Sequence, residues 1–134
     1  MRKDIDIPKV KNVTVAVAKK TNEHDEEEWS VHLINKNDVN IENTLVTSKG
    51  YGEHNGETQK TSTLRHFLET VEAQSTALIE PIQPEIFHLY NEYWVSYYIG
   101  REIFDRKYVF VPESISSDNL IYIKELEMEG ILHS

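Results

Sequence analysis

Cysteine is absent from the 134 residues, proline occurs four times and glycine five times, and there is no long apolar run. Without cysteine, disulfides, thiolate metal sites and a thiol nucleophile are excluded. No stretch approaches the roughly 18 apolar residues that carry a helix across a bilayer. The opening residues Met1-Arg2-Lys3-Asp4-Ile5-Asp6 put two acids where a signal peptide needs its apolar segment. The expected location is therefore the cytoplasm, and the missing disulfides agree with it. Positive charge is also scarce. Arg2, Arg65, Arg101 and Arg106 are dispersed, and the formal net charge is -9. An acidic chain without a basic stripe repels phosphate backbones and anionic lipid heads, which predicts no nucleic-acid and no membrane partner.

With 39% hydrophobic residues the chain has enough apolar material for a core, and its length fits one domain over 1–134. Residues 1–10 read as an N-terminal arm in which Pro8 blocks regular helix. Val13, Val15 and Val17 alternate with smaller residues, as do Trp29, Val31 and Leu33 with Ser30, His32 and Ile34. This is the period-2 signature of half-buried strands. Thr44 to Ser48 is a third strand, followed by the glycine-rich hairpin region Lys49 to Gly56 with its Asn55-Gly56 turn. Residues 59–71 carry both signals: Leu64, Phe67, Leu68 and Val71 fit helical spacing, while Thr61, Ser62 and Thr63 favour strand. Strand is the expectation, because the neighbours are strands. Residues 76–82 add a short strand. Tyr93 to Ile99 is the strongest strand in the chain, and Ile103 to Val111 returns as its hairpin partner. Leu120 to Ile123 adds a last strand, and the remaining tail is weakly patterned. Short strands between turn signals, with no long amphipathic helix, predict an all-β sandwich or barrel.

Three segments resemble the immunoglobulin-like domains common in bacterial proteins. Trp29-Ser30-Val31-His32-Leu33-Ile34-Asn35 looks like their second strand, which often ends at Asn. Glu42 to Thr47 looks like the strand after it. Leu68 to Ile79 looks like their mid-sequence turn and strand, with Glu72-Ala73 where Pro-Gly is usual. The resemblance covers residues 12–112. It implies an immunoglobulin/fibronectin-III-like antiparallel sandwich of about seven to eight strands, with 113–134 as a C-terminal extension. More narrowly, Lys60-Thr61-Ser62-Thr63-Leu64-Arg65-His66, Asn91-Glu92-Tyr93-Trp94 and Gly130-Ile131-Leu132 are similar to a family of short uncharacterised bacterial proteins. Members of that family sometimes carry the label of a phenylalanyl-tRNA synthetase α subunit. This chain has neither the length nor the pattern of that catalytic domain.

The candidate chemistry reads as follows. Five acids in Glu23 to Glu28 form a consecutive run. A calcium loop instead alternates its acids around a sharp glycine turn, so the run is read as a solvated loop. His24, His32, His54, His66, His88 and His133 form no short H-x-H or H-x₃-H pair, so a zinc site would have to assemble from separate strands. No cofactor and no tight structural metal are expected. Ser62 and His66, four apart on a strand, stand about 13 Å apart, beyond nucleophile–base contact. The acids Glu80, Glu85, Glu92, Glu102 and Asp105 read as surface residues.

Two functions remain. The leading one is a non-catalytic interaction or structural module that works through a sheet face or edge, with a protein partner or itself as ligand. The other is a small enzyme or ligand carrier with a pocket at one end of the sandwich. It would require at least two of His54, His66 and His88 to converge with acids in one concavity. The interaction surface falls on Trp94 and Tyr98. Alternation sends Tyr93, Val95, Tyr97 and Ile99 to one face of their strand and Trp94, Ser96 and Tyr98 to the other. Aromatic rings on both faces predict a cover for the outer one, either Leu120, Ile121 and Ile123 folding back or a second subunit in a homodimer.

Overall fold

A computed structural model describes residues 10–133. The proposed arm therefore lies outside the described residues apart from Val10, which packs against the core. Ten strands follow in order: β1 (Val13–Thr21), β2 (Glu27–Asn35), β3 (Ile41–His54), β4 (Glu57–Lys60), β5 (Leu64–Val71), β6 (Ser75–Pro81), β7 (Tyr90–Ile99), β8 (Glu102–Phe110), β9 (Ile121–Ile123) and β10 (Met128–His133). They form two antiparallel sheets, one ordered β6-β2-β1-β10-β9 and the other β4-β3-β7-β8, with β5 also paired to β3. The protein is an all-β sandwich.

The alternating residues read from the sequence line its interior. Val15, Trp29, Val31, Leu33, Val95 and Tyr97 are all buried in one cluster that also takes in Tyr93, Tyr108 and Phe110. Of segment 59–71, residues 59–60 end β4 and 64–71 form β5, while residues 61–63, whose hydroxyl side chains favoured strand, lie between the two strands. The segment's helical spacing has a plain cause. A bulge around Thr44 and Glu69, with Glu69 at φ +59°, breaks the two-residue period, so that Leu68 and Val71, three apart, both face the core while Phe67 points out.

The turn between β5 and β6, where Glu72-Ala73 stands in place of Pro-Gly, carries the chain from one sheet to the other. Gln74 sits there at φ +54°. Local hydrogen bonds hold that conformation: Gln74 Nε2 donates to the Lys36 carbonyl at 2.7 Å. The buried Asn35 amide nitrogen lies 3.1 and 3.0 Å from the carbonyls of Val71 and Glu72. The Asn that ends β2 is thus a buried knot tying two loops together.

The tail differs from expectation. Residues 128–133 are not an extension but a strand, β10, paired along β1 from Val15↔His133 to Lys19↔Glu129. The sequence signal is weak because Gly130 interrupts a segment of only six residues. That glycine is required. A Cβ there would lie 2.5 Å from the Val17 carbonyl oxygen and 2.9 Å from Ile123 Cδ1. The close approach lets Ile123 and Leu126 cover the outer side of β1 and β2 at Ala16 and Ile34. As a result β1 is buried on both faces from Val13 to Ala18. The apolar C-terminal residues do fold back, but onto this sheet and not over Trp94.

Candidate functional site

On the other sheet the outer face stays open. Cross-strand pairing builds it in rows. Phe67, Leu45, Ser96 and Asp105 form one row, and Arg65, Thr47, Trp94 and Lys107 form the next. Tyr98 stands between Glu42 and Ile103 in a third. Trp94 is 44% exposed and Tyr98 37%, beside Phe67 at 60% and Ile103 at 45%. The Lys107 ammonium lies over the indole, 4.8 Å from the ring centroid. Further along, Tyr51 and Tyr90 stack with centroids 5.5 Å apart, and Lys49 lies 3.8 Å from Glu92. Burial, with Glu92 adding to it, raises the Tyr51 phenol above its ordinary pKa, so it stays a neutral donor to that carboxylate. Phe67, Leu45 and Ile103 belong to this surface as much as Trp94 and Tyr98 do. They are invisible in the sequence because strand partners and register are not written in any one strand.

Where the sheets meet at β5 and β6, Glu80 reaches inward from one sheet to three side chains of the other. It accepts from Ser48 Oγ at 2.8 Å and from Tyr93 Oη at 3.0 Å. His66 Nε2 lies 2.6 Å from the same carboxylate. Glu80 is therefore a structural acceptor and not the surface residue expected of it. Burial first, and then this carboxylate, push the Tyr93 phenol well above its usual range. Ser62 lines the cleft of about 230 Å³ beside Glu80, Ser48 and Tyr93, whereas His66 is turned to Glu80.

A cleft of about 430 Å³ lies between β2, the end of β6 and Met128. Within it Ser30 Oγ and His32 Nε2 are 2.8 Å apart, and burial, helped by Lys20, keeps the imidazole below its ordinary pKa and so neutral. The i, i+2 spacing on a strand is a readable signal for this pair, which sequence reasoning passed over. A nucleophile also needs an oriented base and an oxyanion site. Among the described residues no third side chain bonds the His32 ring. The β2 backbone is engaged on both sides, by β1 and β6.

Of the three histidines singled out, two converge. His54 and His88 place their ring centroids 4.8 Å apart. His66 is held at the sheet seam instead. Among the described residues no three His, Asp or Glu side chains are grouped to hold a metal ion, and no helix is long and apolar enough to cross a membrane. No family model, curated protein or solved structure matches the chain.

Proposed function

We propose that this domain is a non-catalytic interaction module, working in the cytoplasm, whose docking surface is the outer face of β5, β3, β7 and β8, and that its occupant is a second copy of the same chain. One contrast supports the reading: the chain covers the outer side of β1 and β2 with its own Ile123 and Leu126, yet leaves Phe67, Trp94, Tyr98 and Ile103 open on the opposite side. Charge favours a second copy. The molecule is strongly acidic, but on this face Lys49, Arg65 and Lys107 balance Glu42, Glu92 and Asp105. Two such molecules repel least where the local charge cancels. Asp105 and Lys107 stand two apart on β8, so each can meet its opposite number across a two-fold axis. Size fits as well. Four strands about 4.8 Å apart and eight residues at about 3.3 Å each give a flat projection of roughly 500 Å². Corrugation by rings raises its accessible area toward the roughly 800 Å² per partner of a standard interface. The resemblance to immunoglobulin-like domains, which often act through strand faces, points the same way.

The test is mass in solution. Sedimentation or light scattering should give twice the 15.6 kDa of one chain at micromolar concentration. Trp94→Asp and Phe67→Asp, both at exposed positions, should each return it to one chain while leaving the circular dichroism unchanged. A single-chain mass up to about 100 μM, where even a modest interface with a Kd of about 1 μM would be saturated, overturns the reading. A dimer indifferent to both substitutions also overturns it.

A further inference from the structure

The convergence of His54 and His88 lies away from the proposed docking rows and needs its own account. His54 ends β3 directly opposite Glu57 of β4. The two-residue turn between them, Asn55-Gly56, has φ of +54° and +79°, the doubly positive pattern that makes the tightest hairpins and fixes strand register. His88 comes from the link between the Pro84–Ile86 3-10 turn and β7. Its Nε2–H donates to Gln59 Oε1 at 2.7 Å, and Gln59 lies on β4 two residues beyond Glu57. Strand alternation puts Glu57 and Gln59 on one face of β4, the face that His54 shares through its pairing. Three elements thus bring two imidazoles, a carboxylate and an amide oxygen to one end of the sandwich.

The ring geometry suits a shared metal. Two imidazoles bound to one ion at about 2.0–2.1 Å have ring centroids about 4.5 Å apart for a 90° angle at the metal and about 5.2 Å for a tetrahedral one. The observed 4.8 Å lies between these values, and the 53° tilt between the planes excludes face-to-face stacking as the reason for the contact. No ion pair involves either ring among the described residues. The overall charge of -9 also draws cations to the surface.

We propose that His54 and His88 form a bidentate site for a borderline divalent transition-metal ion of the zinc, nickel or copper class, the ions that imidazole ligands suit. Two protein nitrogens leave the other positions to water. Such a site is open and exchangeable. It differs from a structural centre, which is closed by four protein ligands. It also leaves intact the expectation that no tight metal holds the fold together.

The experiment is calorimetric titration of Zn²⁺ into chain prepared without a histidine tag and stripped with chelator. One ion should bind per chain. His54→Ala and His88→Ala should each weaken binding by at least about tenfold, the loss that removal of even an outer partner of a metal site brings. His24→Ala, in the acidic β1–β2 loop, should leave it unchanged. As a second readout, Cu²⁺ added below stoichiometry should broaden amide NMR signals around residues 52–59 and 86–90 first. Absence of stoichiometric binding overturns the proposal and leaves the rings as a packing pair. So does binding that survives both alanine variants, or broadening centred elsewhere.

Discussion

Replacing Glu80 by alanine tests how the two sheets are held in register at their β5–β6 seam. The carboxylate accepts from Ser48 and Tyr93, whose side chains are almost fully buried, and from the half-buried His66. Without it, two hydroxyls lose their partner in the interior. A buried donor left unsatisfied costs about 1–3 kcal/mol. The adjoining cleft of about 230 Å³ can admit water to one of them, which lowers the sum. The expected loss is roughly 2–4 kcal/mol, or about 10 °C in melting temperature for a domain of this size. The decisive measurement is a double-mutant cycle with Tyr93→Phe, by urea unfolding at neutral pH. In the wild-type background, removing the phenol oxygen takes away a hydrogen bond. In the Glu80→Ala background it removes an orphaned donor, so the second substitution should then be neutral or stabilising. A coupling of about 1–2 kcal/mol is expected. Additivity within about 0.3 kcal/mol, or a loss below about 0.5 kcal/mol for Glu80→Ala alone, would refute the reasoning.

Gly130→Ala should destabilise by about 1–3 kcal/mol or prevent folding, because the new Cβ meets backbone at Val17 and Ala18 and cannot be relieved by a side-chain rotation; a wild-type urea midpoint would contradict this. Tyr97→Phe should be neutral or stabilising, since its buried hydroxyl has no hydrogen-bond partner among the described residues. Tyr108→Phe should cost about 1 kcal/mol, since that hydroxyl donates to the Val13 carbonyl at 2.6 Å; thermal melts of the two variants side by side decide the point. Stability should also fall in alkali. Burial raises Tyr93 and Tyr97 far up and pushes Tyr108 up to about 12, so unfolded tyrosines lose protons near pH 10 while the native ones keep theirs. The contribution is complete below pH 10 and is lost as pH rises toward 12; urea midpoints at pH 8, 10 and 11 should show the decline.

What the sequence revealed and what it hid follow from the range of each signal. Alternation is local, so β1, β2 and β7 were legible, and so was the division of Tyr93 to Ile99 into an inner set and an outer pair of rings. Where the period breaks, legibility ends. The bulge at Thr44 and Glu69 disguised β5, and Gly130 disguised β10. Partnership between strands is non-local. Nothing in Phe67 or Ile103 announces that they flank Trp94 and Tyr98, and nothing near Glu80 announces Tyr93. His54 and His88 meet only because a tight hairpin and a 3-10 link arrive at the same corner. The exception is Ser30 with His32, whose spacing on a recognised strand already places them side by side.

The pairing of β1 with β10 joins opposite ends of the described residues. Loop closure over such a separation is slow, and folds dominated by distant pairings lie at the slow end of two-state kinetics. Until β10 docks, β1 can pair only on its β2 side, and its other edge is a row of unpaired amides and carbonyls flanked by Val13, Val15 and Val17. That is an open template for another chain. During synthesis this edge is exposed from early on and closes only when β10 emerges. Gly130 is then a gatekeeper of assembly as well as a packing residue. A variant that delays the docking of β10 is expected to aggregate through β1 before any loss of native stability can be measured.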